Sequence, residues 1–213
     1  MHTTVNSDTV DHMDILHIDF IHTHPFDLFQ QWLEKARESE INDPEAVALA
    51  TANAQGQPSV RMVLMKELDS QGFCFYTNME SKKGRDLVAN PLAALCFHWK
   101  SLQRQVRVEG AVQVLPPERA DAYFATRHPE SRLGAWASQQ SRPLVSRDEL
   151  EQRLEDARST YGEEDIPRPP YWGGYRIVPA RIEFWQAGAY RLHDRFVFTP
   201  ATGGAWTAHR LNP

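Results

Sequence analysis

The stretch "RQVRVEGAVQV", Arg104 to Val114, alternates with a period of two. Val106, Val108, Val112 and Val114 fall on one side, and Gln105, Arg107, Glu109 and Gln113 on the other. Successive side chains of a strand point to opposite faces, so the pattern describes a strand with one buried face and one working face, the habit of antiparallel sheets. A helix would repeat its apolar positions every three or four residues and does not fit.

Other strand-like runs follow the same logic. "AVALATANAQGQPSVRMVLMKELDSQGFCFYTN" reads as three strands broken at "NAQGQP" and "DSQG", and "LAALCFHW" as another. "YRIVPARIEFWQ", "RLHDRFVFT" and "AWTAHRLNP" read as the last three. Helical signals lie between them. Pro25 to Glu40 puts Phe26, Phe29, Trp32, Leu33 and Ala36 on one stripe. "SKKGRDLVAN" begins at a serine cap and is stopped by Pro91, Pro116 and Pro117 open a helical region to about Gln140, and "SRDELEQRLEDARSTYG" has a charged solvent face. No βαβ unit repeats. The expectation is a mainly β protein with peripheral helices, an antiparallel barrel rather than a doubly wound sheet. Residues 1–24 hold five of the nine histidines but no cysteine and no helix to fix them, so they read as a flexible tail and not a metal site. Residues 25–213 read as a single domain.

With 213 residues, 41% hydrophobic and 24% charged, the chain can bury a core of ordinary size. A net charge of -5 argues against a general nucleic-acid or anionic-membrane binder, so any anion site must be local. No apolar run reaches the roughly 18 residues of a membrane span. Cys74 and Cys96 sit in apolar strand-like runs and read as thiols of a reducing compartment. A cytoplasmic protein is expected.

Four stretches carry candidate chemistry. In "RMVLMK", Arg61 and Lys66 are five apart, on opposite faces of a regular strand; they either serve two ligand groups or decorate the ends of an apolar strand. In "YTNMESKKGRD", Lys82 and Lys83 occupy a first helical turn, where cations oppose the dipole unless an anion sits there. In "AYFATRHPESRLGAWASQQS", Tyr123 and Arg127 lie four apart with Ser131 beyond, able to converge on a phosphate or to form a plain surface pair. Gln140 and Ser141 close that segment. In "YRLHDRF", Arg191, His193 and Arg195 fall at every second position, which in a strand puts three potential cations on one face. Motifs for a protein nucleophile, a P-loop or a Rossmann fingerprint are absent. Anion sites without a nucleophile point to a phosphorylated organic cofactor that brings the chemistry.

"IEFWQAGAYRLHDR", Ile182 to Arg195, resembles the signature of the pyridoxine/pyridoxamine 5'-phosphate oxidase family. "RMVLMK", "FYTN", "RQVRVEG", "RLGAWASQQS" and "YWGGYRI" resemble further family segments in the family's order, so the resemblance runs from about Asp27 to Pro213. It implies a split antiparallel β-barrel, a homodimer, and FMN bound at the subunit interface. By position it implies that Arg61 and Lys83 hold the FMN phosphate, with Lys82, Gln140 and Ser141 beside them. Met62, Val63, Leu64, Lys66, Tyr76 and Thr77 would lie along the cofactor, and Gln105, Trp185 and Arg195 would address its ring. Lys66, Tyr123, Arg127 and Ser131 would grip the substrate phosphate, with Arg191 and His193 over the pyridine ring as the catalytic pair.

The implied reaction oxidises pyridoxamine or pyridoxine 5'-phosphate to pyridoxal 5'-phosphate, the last step of making this vitamin B6 cofactor. Hydride passes from C4' to flavin N5, and dioxygen becomes hydrogen peroxide. Family members often carry an N-terminal arginine and tyrosine that close over the substrate; "VDHMDILHIDFIHTHPFD" has neither, so no site residue is assigned before Arg61. A flavin oxidase of a phenazine precursor and a non-catalytic carrier of FMN or pyridoxal phosphate stay open as alternatives.

Overall fold

A computed structural model describes residues 23–162 and 164–213. The expected tail therefore lies, up to residue 22, outside the described residues. Helix α1 (Pro25–Ser39) is followed by strands β1 (Ala46–Ala52), β2 (Pro58–Leu64), β3 (Glu67–Asp69) and β4 (Gly72–Asn78). Then come α2 (Lys82–Ala89), β5 (Leu92–Trp99), β6 (Arg104–Val114), α3 (Pro117–Ala125), α4 (Pro129–Ala137) and α5 (Arg147–Tyr161). The chain closes with β7 (Trp172–Gln186), β8 (Asp194–Pro200) and β9 (Trp206–Leu211). The strands form one antiparallel sheet in the order β2-β1-β5-β6-β7-β4-β3, with β8 on β7 and β9 on β8. It curls into the split half-barrel.

Helix α1 packs against the sheet in the main core. Phe29 and Trp32 are fully buried, as Leu33 and Ala36 nearly are, which is the stripe read from the sequence. Phe29 meets Phe73 and Phe97 edge-on at 4.9 Å each, and Trp32 meets Phe184 at 5.2 Å. Burying each such ring contributes about 2 kcal/mol or more. Pro25 starts the helix, and His24 caps it by accepting from the Phe26 N–H at 3.2 Å.

Strand β7 organises the whole sheet. Along one side it pairs with β6; on the other, its first half pairs with β4 and its second half with β8. Between the halves Glu109 faces Arg181 and Gly110 faces Pro179, so Ala180 is an extra residue bulged out of the ladder. A Cβ on Gly110 would lie 2.0 Å from the Val178 carbonyl oxygen, so only glycine permits this approach.

Three expectations change. The early stretch makes four strands, because the chain breaks at Met65 and Lys66, whose N–H groups bond to Glu45 and Cys74 instead of continuing β2. Val114 is 61% exposed, because the core side of β6 ends before it, although Val106 and Val108 are buried as expected. "YRLHDRF" is not a continuous strand: Ala189–Arg191 form a 3-10 turn with left-handed backbone at Tyr190 and Arg191, and β8 begins at Asp194. The alternation argument therefore does not hold for Arg191. Cys74 is buried and Cys96 half-buried, and both are free.

Candidate functional site

A cleft of about 510 Å³ opens between the end of β2, β4, the start of α2 and the α3–α4 segment. Met62, Val63, Leu64, Lys66, Tyr76, Thr77, Lys83, Tyr123, Arg127, Ser131 and Gln140 all line it. The structure thus gathers most of the predicted site residues from five separate segments.

One end is built around Lys83. Ser81 caps α2 by accepting from the Gly84 N–H, which sets Lys83 in the first turn. Its Nζ turns inward and donates to Thr77 Oγ1 and Gln140 Oε1, both at 2.8 Å, and to Ser81 Oγ at 3.2 Å. All three partners are neutral. Burial, with the Arg61 guanidinium nearby adding to it, pulls the Lys83 ammonium down to about 8. Arg61 itself does not line the cleft. It donates to Leu49 O, Thr51 Oγ1, Ser59 O and Ser59 Oγ, with Asp86 at 3.8 Å. Lys82 points away and pairs with Asp86 at 3.0 Å. Ser141 sits in a left-handed turn just beyond the cleft.

The other end is aromatic and cationic. Tyr76 and Tyr123 stack at 4.3 Å, and Trp172 lies nearly parallel to Tyr76 at 5.7 Å. The Arg127 guanidinium rests 5.0 Å above the Trp172 ring, and its buried Nη1 has no hydrogen-bond partner among the described residues. Arg127 lies past the end of α3, not on it with Tyr123. Ser131 comes from the first turn of α4. The Tyr76 hydroxyl donates to Glu67 Oε1 at 2.7 Å; burial and that carboxylate push the phenol upward. Glu67 in turn pairs with Arg119, which also holds Asp69 at 2.6 Å. Burial works against ionising Asp69, yet the Arg176 and Arg119 guanidinium groups hold it well below the usual carboxylate range. Trp172, Glu67, Asp69 and Arg119 are residues here to which the sequence assigned no role, although Trp172 stands in "YWGGYRI". A Cβ on Gly174 of that run would come within 2.8 Å of the Tyr76 ring, so the glycine makes room for the stack.

A second group of predicted residues lies elsewhere. Gln105, Trp185 and Arg195 form a row across β6, β7 and β8, as register partners. The Trp185 and His193 rings are 4.7 Å apart, and His193 Nδ1 accepts from the Gly188 N–H at 3.2 Å. A neutral His193 therefore carries its proton on Nε2. Arg191 is exposed. From Gly174, opposite Tyr76, to Trp185 the strand runs roughly 35 Å along its length. Gln105, Trp185, Arg191, His193 and Arg195 do not line the cleft.

A family model described as Pyridoxamine 5'-phosphate oxidase matches residues 33–161, and one described as Pyridoxine 5'-phosphate oxidase C-terminal dimerisation region matches residues 172–213. The chain is 56% identical over 194 residues to a pyridoxine/pyridoxamine 5'-phosphate oxidase of Rhodospirillum rubrum, covering 89% of this chain and 96% of that one. It is 52% identical over 201 residues to the protein of the same name from Chelativorans sp., covering 94% and 96%. Among solved structures it is similar to PhzG from Burkholderia lata 383 in complex with tetrahydrophenazine-1-carboxylic acid, with a TM-score of 0.83, 30% identity, and 89% and 93% of the two chains covered. A pyridoxamine 5'-phosphate oxidase-related, FMN-binding protein from Nostoc punctiforme PCC 73102 shares the fold, with a TM-score of 0.72 at 16% identity over 90% of this chain and 99% of that one.

Proposed function

Since the chain belongs to the pyridoxamine 5'-phosphate oxidase family, we propose that it oxidises pyridoxamine and pyridoxine 5'-phosphate to pyridoxal 5'-phosphate with FMN as cofactor and dioxygen as electron acceptor. The observation that carries this reading is a cleft with Lys83 at one end and Arg127 at the other, and Lys66 also in its lining. Two ends suit two phosphates, one of the cofactor and one of the substrate.

The donor chemistry fits FMN. Lys83 is a buried ammonium with only neutral oxygens around it, the setting in which a bound phosphate is favoured. Arg61 stands next to it as a second positive charge, while Lys82, tied to Asp86, contributes field rather than contact. Met62 and Leu64, on one face of β2, supply an apolar wall for a flat ring, Val63 lines the cleft from the other face, and Tyr76 and Thr77 supply the opposite edge. Gln105, Trp185 and Arg195 would reach the ring from the partner subunit of a homodimer, which the match of residues 172–213 to a dimerisation region supports. The exposed row Val60, Met62 and Leu64 on edge strand β2, at the cleft mouth, is an apolar surface for such a partner to cover.

FMN, when bound, supplies the hydride acceptor and hands the electrons to dioxygen, giving hydrogen peroxide. The protein's own residues do the positioning. Lys66, Tyr123, Arg127 and Ser131 hold the substrate phosphate, with Arg127 preset by its seat on Trp172. Arg191 and His193 would cover the pyridine ring, and Nε2 of His193, the nitrogen left free by the Gly188 bond to Nδ1, would exchange a proton at the C4' substituent. Anchoring both reactants in near-attack geometry is worth roughly 7–11 kcal/mol in favourable cases. The amine substrate leaves as an imine that water hydrolyses, and the alcohol leaves directly as the aldehyde. Among the described residues no helix is long and apolar enough to cross a membrane.

The test is an absorbance spectrum of the purified protein followed by aerobic assay with both phosphorylated vitamers. Flavin bands and peroxide released with pyridoxal 5'-phosphate are expected. A yellow protein that turns over neither vitamer would leave the carrier reading standing.

A further inference from the structure

Three arginines converge on one buried carboxylate beside the Trp185 row. Glu183, on β7, keeps only 2% of its side chain exposed. Its Oε1 accepts from Arg195 Nε at 2.9 Å and has Arg195 Nη2 in ion-pair contact, also at 2.9 Å. Its Oε2 accepts from Arg181 Nη2 at 2.9 Å and has Arg107 Nη1 at 3.6 Å. Glu109 shares the load, accepting from Arg107 Nη2 at 2.6 Å with Arg181 at 3.9 Å. The third nitrogen of Arg195, Nη1, donates to Asn212 O at 3.0 Å.

Burying a carboxylate is unfavourable unless it is paired, and such pairs add little net stability compared with apolar packing. Arg195 itself is 27% exposed and needs no buried partner to remain in water. What the arrangement does supply is orientation. A guanidinium is planar, and gripping Nε, Nη2 and Nη1 from two sides fixes its plane. Its position opposite Trp185 in the β7–β8 register then fixes where that plane lies.

We propose that Glu183 is a positioning residue for Arg195: it locks the guanidinium in the one orientation that presents it to the flavin ring, and its charge offsets part of the positive field there. This rests on the reading that Arg195 addresses the flavin.

The experiment measures FMN dissociation by flavin fluorescence, and the reduction potential of the bound flavin, in the wild-type dimer, E183Q, R195A and the double variant. E183Q is expected to weaken FMN at least about tenfold, the scale of a hydrogen bond between charged groups. The potential should move positive, because a negative charge is removed near the ring. Acting through Arg195, E183Q should change FMN affinity by less than about twofold when added to R195A. A purely structural role would lower the melting temperature and leave the potential in place. If R195A weakens FMN and E183Q weakens it again by its full factor in the double variant, the positioning role is overturned while the Arg195 reading stands. If R195A alone changes neither affinity nor potential, the Arg195 reading falls and takes this inference with it. Should E183Q not fold, R195K replaces it, keeping the charge but losing the Nε and Nη2 grip; FMN affinity equal to wild type would overturn the proposal.

Discussion

At the scale of single residues, the strongest lever is the protonation of Lys83. Its pKa near 8 in the folded protein is below the 10.5 of an exposed lysine. Between those values the unfolded chain binds the extra proton, so Lys83 makes the ligand-free fold gain stability as pH rises through that window. A phosphate works in the opposite sense, favouring the charged form. FMN affinity is therefore expected to fall as pH rises above about 8, and the fall should vanish in Lys83→Arg, whose charge does not titrate in this range. Binding isotherms from pH 7 to pH 9.5 check this, and a flat wild-type profile would count against it. Arg191→Ala should lower kcat/KM for both vitamers at least about tenfold with FMN retention unchanged; equal loss of both would remove the division between Arg191 and Arg195. The two sites differ in how far the sequence exposes them. Lys83 is legible because two lysines in a first helical turn contradict the dipole and so ask for a ligand. The shape around Arg191 is not, because the left-handed turn at Tyr190 and Arg191 carries only one glycine nearby, Gly188, and otherwise looks like alternating strand. Glu183 stands in the signature "IEFWQ", but its burial is not legible, because a glutamate in a strand reads as the exposed face and only the fold brings three arginines to it.

At the scale of elements, α1 is the piece whose packing closes the half-barrel. Trp32→Ala removes a fully buried indole that touches Phe184 and carries the Arg104 guanidinium 4.5 Å over its ring. A loss of about 3–5 kcal/mol in unfolding free energy is expected, measured by urea titration at constant slope. A loss under about 1 kcal/mol would mean that the sheet holds without this helix. The helix is fully legible, since a period of 3.6 over four turns leaves little choice of face. Strand count is less so. The break between β2 and β3 depends on Met65 and Lys66 bonding to distant backbone, and the bulge at Ala180 depends on what lies opposite. Neither partner is visible locally.

At the scale of the whole molecule, the proposed function needs a homodimer, because the two residue groups lie on different halves of β7. If each site takes Lys83 from one protomer and Arg195 from its partner, Lys83→Met and Arg195→Ala chains should rescue each other. Mixed dimers have one site with both lesions and one intact. Refolding an equal mixture of the two inactive variants should restore roughly a quarter of the wild-type rate, the share given by random pairing in a two-fold dimer. No recovery, with mixed dimers shown to form, would place both residues in one chain's site. Periodicity alone says nothing of this, because interface strands and core strands share one pattern; only the resemblance of "IEFWQAGAYRLHDR" to a known signature points to it.

The bulged strand β7 then has a genetic consequence. Its first half backs the Tyr76 cleft, and its second half carries the Trp185 row, which on the proposed function would serve the other site. Lesions at either end should complement one another in mixed dimers. A lesion facing its centre, such as Gly110→Val on β6 against the Val178 carbonyl, disturbs both halves at once. One such chain would spoil both sites of any dimer it joins, so the centre of the strand is where a damaged copy should behave as dominant.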